Sequence, residues 1–363
     1  MNSLKAPSVT VNDVARSAGV SVGTVSRVLN GAANIAPENL EKVQKAMADL
    51  GYQKHHSAGL LAARRNGSVS RTGNIGMVYT EVGPAWSNHP LVAAYALGVE
   101  KAAEEKGFHS LIELSSDGSE LPRCVRERKI DGLLIKATRS IPEFIGKLPP
   151  DLPVVLVGRN DPSLQLAQVT ADNPGAGWLM ADYLWGQGHR RVAFLCSDAR
   201  HPMFIGRLQG YEGFMRERNA FDPRLVGLIE KPEVALSEPE RTPPDFHDLV
   251  TRLLALPAAD RPTALIAAND WMARGVYAVL AKLGLQAGRD ISVVGFDNMP
   301  FLCETLVPRL TSFDVELSAV AHAATRLLLD MVGGPPKDRP PSVQLVRGRL
   351  IERASVARLT PLP

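Results

Sequence analysis

The sequence predicts an α/β protein that begins with a small all-helical unit. Apolar residues recur at helical spacing through residues 10–50, between glycine stops. From residue 75 onward, short β-rich runs alternate with helical stretches, the pattern of parallel sheets covered by helices on both faces. The 363 residues are 45 % hydrophobic and 22 % charged, which suits a folded chain of two or three domains.

The helical signals come first. Thr10-Val11-Asn12-Asp13 fits a capping box, with Asp in place of the commoner Glu, and opens a helix that Gly19 stops after Ala18. Ser21 caps a second helix from Val22 to Asn30, with Val25, Val28 and Leu29 inward and Val22, Gly23, Thr24, Ser26 and Arg27 outward. Pro37 suits the first position of a third helix, on which Leu40, Val43, Met47 and Leu50 recur before Gly51 closes it. Two short helices around the Ala18-Gly19-Val20 turn, with a third packed on them, describe a helix-turn-helix. Gly19-Val20-Ser21-Val22-Gly23 also matches the G-x-S-x-G nucleophile elbow, but that motif needs a strand before the serine, and a helix stands there.

A Gly/Ser/Thr/Arg-rich stretch from Asn66 to Gly73 reads as a linker. Strands are then expected at 75–79, 111–114, 132–136, 154–157, 192–196, 264–267 and 292–296, and helices at 91–106, 175–188, 206–219, 246–255 and 272–283. So many units suit two doubly wound sheets better than one. Such sheets bind ligands beyond the carboxyl ends of their strands, where Thr80, Arg159, Ser197, Asn269 and Asp297 fall, a mostly polar set. Trp86, in a polar Pro-flanked loop, and Trp271, next to Asn269-Asp270, are candidates for stacking on a ligand, whereas Trp178 and Trp185 lie a heptad apart on one helix and read as core.

Charge is uneven. Residues 1–66 carry eight Lys or Arg against four acids, a sum of +4, so the remainder sums to −1 of the total +3. That excess favours an anionic partner at the N-terminal end. Cys124, Cys196 and Cys303 form neither an even framework nor a C-x-x-C. The eight His include no H-E-x-x-H, and there is no P-loop or G-x-G-x-x-G, so neither a metal site nor a cofactor is expected. No stretch reaches the ~18 uninterrupted apolar residues of a membrane span, and the mixed, polar start holds no signal segment; the expectation is a cytoplasmic protein with no membrane contact.

The string Val9-Thr10-Val11-Asn12-Asp13-Val14-Ala15-Arg16-Ser17-Ala18-Gly19-Val20-Ser21-Val22-Gly23-Thr24-Val25-Ser26-Arg27-Val28-Leu29-Asn30-Gly31, continuing to Leu50-Gly51-Tyr52, resembles the DNA-binding headpiece of the LacI/GalR (lactose-repressor-like) regulators. The resemblance continues more weakly through Asp131-Gly132-Leu133-Leu134-Ile135, Gly188-His189-Arg190-Arg191-Val192, Asn269-Asp270, Asp290-Ile291-Ser292-Val293-Val294-Gly295-Phe296-Asp297-Asn298, Pro308-Arg309-Leu310-Thr311 and Glu352-Arg353-Ala354-Ser355. Thr80–His89 and Lys231–Pro244 fit it poorly.

The resemblance implies a helix-turn-helix headpiece at 1–56, a hinge helix and linker at 57–73, and a periplasmic-binding-protein-like core at 74–360. It implies a first lobe of about 74–170 and 299–325 and a second of about 171–298 and 326–360. Val22 and Gly23 fall at the positions that choose operator bases, and Arg27 at the family's conserved arginine, suited to a guanine edge. Thr10, Ser21, Thr24, Ser26 and Asn30 fall among positions that hold the DNA backbone, and Asn34 among the DNA-binding positions. Leu61, in Ser57-Ala58-Gly59-Leu60-Leu61-Ala62-Ala63-Arg64-Arg65, falls at the minor-groove wedge of the hinge helix. Arg207, Asn269 and Asp297 match effector-contacting positions, joined here by Arg159, Trp86 and Trp271. Lys54, His55, Ala36 and Leu40 depart from the pattern, which implies an altered phosphate grip.

The implied function is a non-enzymatic transcription regulator, a repressor, that reads pseudo-palindromic operator DNA as a homodimer under control of a small effector. A sugar or sugar phosphate is the first expectation for that effector and a nucleobase or nucleoside the second. No leucine heptads follow Ser355, so a dimer is expected over a coiled-coil tetramer. A cytoplasmic solute-binding or enzymatic α/β protein with an accidental N-terminal motif is the reading from another class; it lacks a placed nucleophile, base or metal.

Overall fold

The structure, a computed structural model, describes residues 9–29, 35–52, 71–82, 90–116, 118–137, 140–229, 245–334 and 341–359. The chain divides into two compact units, Met1–Thr72 and Gly73–Pro363. Asn30, Asn34, Trp86 and the expected hinge segment with Leu61 lie outside the described residues.

The first unit holds α1 (Val11–Ala18), α2 (Val22–Leu29) and α3 (Pro37–Leu50). The capping box is formed: Asp13 N–H donates to Thr10 Oγ1 and Thr10 N–H to Asp13 Oδ2. Gly19 ends α1 in the left-handed region, at φ 66°, which a glycine enters without the Cβ penalty of other residues. Ser21 Oγ accepts from Thr24 N–H and so caps α2. Val14, Ala15, Val25, Val43, Ala46 and Tyr52 form the core of this unit. Val43 and Ala46 are the buried residues of α3; Met47 and Leu50 are half-buried, and Leu40, expected on the inner face, is exposed.

The second unit contains two six-stranded sheets. In the first, β1 (Asn74–Thr80), β2 (His109–Ser115), β3 (Gly132–Lys136), β4 (Val154–Val157), β5 (Ala167–Ala171) and β11 (Val343–Val346) run in the order β11-β5-β4-β3-β1-β2, all parallel. In the second, β6 (Val192–Cys196), β7 (Val226–Leu228), β8 (Ala264–Ala267), β9 (Ser292–Phe296), β10 (Thr311–Asp314) and β12 (Arg349–Ile351) run β12-β10-β9-β8-β6-β7, with only β12 antiparallel. Crossover helices connect them: α4 (Pro90–Glu104), α6 (Asn173–Gly186), α7 (Pro202–Glu217), α8 (His247–Leu254), α9 (Asp270–Lys282) and α11 (Leu317–Gly333), with the short α5 (Arg123–Arg126) and α10 (Pro300–Cys303) between. Strand order reverses beside β1 and β3 in the first sheet and beside β6 and β8 in the second. A crevice opens at such reversals.

The sheets divide the chain differently from the expected lobes. Residues 299–314 belong with the second lobe, because β10 pairs with β9. Helix α11 and β11 belong with the first: α11 packs on α4, β3, β4 and β5, and β11 extends the sheet beside β5. The chain therefore crosses three times, after Ala171, after Asp314 and after Val346. Five short strands, β5, β7, β10, β11 and β12, escaped the sequence pattern, β10 because its Thr-Ser-Phe-Asp run is mostly polar. Thr311 and Ser312 are fully buried, and their hydroxyls are satisfied by Arg353 N–H and Asp270. Helices α6 and α7 approach closely: a Cβ on Gly177 would meet the Arg207 carbonyl at 1.9 Å and one on Gly210 the Pro174 carbonyl at 1.9 Å.

Helix α3 starts at Ala36, which offers no side-chain cap. Ala36→Ser is expected to stabilise the helical unit by about 1 kcal/mol, read as a rise in its thermal midpoint; an unchanged or lower midpoint contradicts the uncapped terminus.

Candidate functional site

In the helical unit, α2 presents one face to solvent. Val25 is buried, while Ser21, Val22, Gly23, Ser26 and Arg27 are exposed and Thr24 is partly so. Ser21 Oγ and Thr24 Oγ1 lie 2.9 Å apart, so both hydroxyls serve the helix start. Val22 is 47 % exposed. A side chain at Gly23 would meet only Ser21 Oγ at 3.7 Å, so the surface is open there. Thr10 keeps its hydroxyl on Asp13.

In the core, the expected pair meets. Arg207, 1 % exposed, donates from Nη2 to Asp297 Oδ1 at 2.7 Å, from Nε to Asn173 Oδ1 at 3.0 Å and from Nη1 to the Ala268 carbonyl at 2.6 Å. Its guanidinium lies over the Phe296 and Phe204 rings, with centroids at 4.8 and 5.6 Å. An arginine has five N–H donors, so the fork keeps donors for a further acceptor, and Asp297 keeps its second oxygen. The combination suits a hydroxylated ligand, to which Arg donates and from which Asp accepts.

The Asp297 loop is strained. Asp297 has φ 93° and Asn298 φ 49°, both in the region that favours glycine. Surrounding bonds hold it. Asp297 N–H donates to the Phe313 carbonyl, Asn298 Nδ2 to Asp314 Oδ2, and Arg353 Nη2 to Asn298 Oδ1. Asp270, fully buried at the start of α9, accepts from Met299 N–H, Ser312 Oγ and Cys303 Sγ. Burial, then the Asp297 charge, pushes the Asp270 carboxyl up to about 7 against the pull of those donors.

The other expected residues are placed as follows. Asn269 caps α9, accepting Met272 N–H at 2.8 Å, which leaves its amide nitrogen as a donor. The Trp271 Nε1 is buried with no hydrogen-bond partner among the described residues, and its ring stacks on Arg274. Arg159 stands after β4 in the first lobe, bound to Asp161 at 3.1 Å, and so does not join the Arg207 cluster directly. Trp178 and Trp185 pack edge-on against Phe214, as core.

The sequence reading missed Asn173, Asp270, Asn298 and, in the first lobe, Tyr95 and Lys136. Tyr95 of α4, in the first lobe, lies near enough to Asp297 and Arg207 of the second for their charges to act on its hydroxyl. Lys136 ends β3 beside Tyr79 of β1, with its ammonium 5.7 Å from the Tyr95 ring centroid. Burial, then Arg159, holds the Lys136 ammonium down at about 8. A lysine that ends an otherwise apolar run, Gly132-Leu133-Leu134-Ile135-Lys136, was the available signal.

Asp270 makes the core pH-sensitive. Its folded-state value near 7 lies above the ordinary 3.8, so the folded protein keeps a proton that the unfolded chain releases. Stability is expected to fall as pH rises from 5 to 8, and Asp270→Asn to flatten that slope in denaturant titrations. Parallel curves for the two proteins would contradict it.

Two family descriptions match the chain: "Bacterial regulatory proteins, lacI family" over residues 10–55 and "Periplasmic binding protein-like domain" over residues 181–356. The HTH-type transcriptional repressor PurR of Escherichia coli is 27 % identical over 355 residues, covering 96 % of this chain and 97 % of PurR, and PurR of Shigella boydii matches equally. Among solved structures, the transcriptional regulator CelR in complex with cellobiose superposes with a TM-score of 0.62 at 26 % identity, covering 96 % of this chain and 99 % of CelR. The lac repressor dimer bound to operator and the anti-inducer ONPF gives a TM-score of 0.72 at 21 % identity, covering 97 % of this chain and all of the other, a likeness of fold. With a helix-turn-helix in front of two parallel-sheet lobes, and both family descriptions met in the same order, the chain belongs to the LacI/GalR family of regulators.

Proposed function

We propose that this protein is a transcriptional repressor that binds pseudo-palindromic operator DNA as a homodimer and is controlled by a small hydroxylated effector, a carbohydrate, between its core lobes. The observation that carries the DNA half is the exposed face of α2. It is built as a reading helix is, with an apolar inner side and Val22, Gly23, Ser26 and Arg27 outside. Val22 and Gly23 suit apolar contact and close backbone approach, Arg27 a guanine edge. Thr10, Ser21, Thr24 and Ser26, with Asn30 and Asn34, fit contacts to the phosphate backbone, and Leu61 fits a hinge wedge that kinks the duplex.

The effector half rests on the Arg207–Asp297 pair, the orphan Trp271 donor and the Asn269 amide at the mouth of the second lobe. CelR, whose solved complex holds cellobiose, supports a carbohydrate. A ligand controls DNA affinity only by binding one lobe arrangement better than another, and the three crossovers are the places where the lobes turn. The proposal makes the chain a regulator and not an enzyme, as its relatives are.

Sequences enriched from a random DNA pool on the intact protein are expected to be palindromic and bound in a salt-dependent manner. Arg27→Ala is expected to weaken that binding by about 1–3 kcal/mol while leaving random DNA nearly unaffected. Failure to enrich any sequence would sink the repressor reading; an equal loss on random DNA would make Arg27 a phosphate contact only.

A further inference from the structure

We propose that the effector is an anionic, polyhydroxylated molecule, and that Lys136 binds its carboxylate or phosphate while Arg207 and Asp297 take its hydroxyls. This rests on the cleft reading above and adds the ligand's charge. Lys136 stands at the carboxyl end of β3, where the first sheet reverses its strand order, the position at which such sheets receive ligands. It is partly buried, and among the described residues it forms no salt bridge. Its ammonium donates only to the adjacent Ala137 carbonyl, at 3.2 Å, and lies over the Tyr95 ring.

The acids nearby are already engaged. Asp161 is bound to Arg159 and to the Ser163 hydroxyl and N–H. Glu81 accepts the Ser140 hydroxyl and N–H. Asp297 holds Arg207. Arg159 adds a second positive charge close enough to disfavour the Lys136 ammonium. Glu81 favours the Lys136 ammonium but makes no salt bridge with it among the described residues, and a partly desolvated cation with no acid in contact is costly in an empty site and rewarding in an occupied one. Tyr95 relates the two halves of the site: Lys136 lies on its ring, and the charges of Asp297 and Arg207 act on its hydroxyl. Space at this point is kept by Gly158, where a Cβ would lie 2.5 Å from Tyr95 Oη and 3.0 Å from Lys136 Cε. A neutral sugar would leave the ammonium unanswered; a sugar phosphate or sugar acid would pair with it.

The test is a thermal-shift series on the intact protein. It uses glucose, galactose and ribose, each beside its terminal phosphate and its uronic or aldonic acid, with inorganic phosphate and acetate as controls. At least one charged sugar is expected to raise the midpoint and its neutral parent to fail. The phosphate and acid arms tell which anion fits. Lys136→Met is expected to weaken that ligand at least about tenfold, and Lys136→Arg to keep part of the affinity, which separates lost charge from misfolding. In the unmodified protein, the same ligand is expected to weaken between pH 7 and pH 9.5, as the ammonium loses its proton. A neutral parent that stabilises as well, a charged sugar that survives Lys136→Met, a shift matched by inorganic phosphate, or no shift from any charged sugar would each overturn the proposal. Operator enrichment by the same protein is unaffected by those outcomes, so the repressor reading fails or stands separately.

Discussion

A buried guanidinium organises the second lobe. Arg207 lies inside the fold, where an unpaired charge is prohibitively costly. Its fork is answered from Asn173 at the start of α6, Ala268 after β8 and Asp297 after β9. Each partner comes from a different βα connection, so these loops must meet at one point for the charge to be tolerated. The small residues Gly177 and Gly210 let α6 and α7 close on one another and bring Asn173 and Arg207 into register.

Strain and burial meet in the loop that carries Asp297. Two successive non-glycine residues with positive φ are sustained because Phe313, Ser312 and Asp270 accept from the backbone N–H groups of 297–299 while Arg353 and Asp314 hold the Asn298 side chain. Asp314 is also the last residue of the second lobe before the chain crosses to α11. The contact Asn298–Asp314 therefore joins the strained loop to a crossover between the lobes. Asp270 contributes to the loop at the cost of burying a carboxyl beside another, which is why its proton affinity rises.

The helical unit is built on different economics of size. Its core is a handful of Val and Ala side chains with Tyr52, and its stability leans on termini: the Thr10–Asp13 box, the Ser21 cap and the left-handed Gly19 and Gly51. Keeping the core small leaves the outer face of α2 unoccupied by packing. That freedom is what allows exposed Val22, Gly23 and Arg27 to be chosen for a partner.

Local chemistry determined a large part of this protein. Caps, glycine stops and helical spacing placed all three N-terminal helices, and apolar β-rich runs placed seven of the strands, because those signals act within a few residues. The family resemblance then pointed to Arg207 and Asp297, which lie ninety positions apart in the chain. The tertiary structure alone decided the rest. It assigned β10 to the second lobe and α11 and β11 to the first, since strand pairing and not pattern fixes sheet membership. It buried polar Thr311, Ser312 and Asp270 by supplying distant partners. It also set Lys136 against Tyr95 at the strand reversal, because a charge acquires its role from the partners that folding brings to it and from those it withholds.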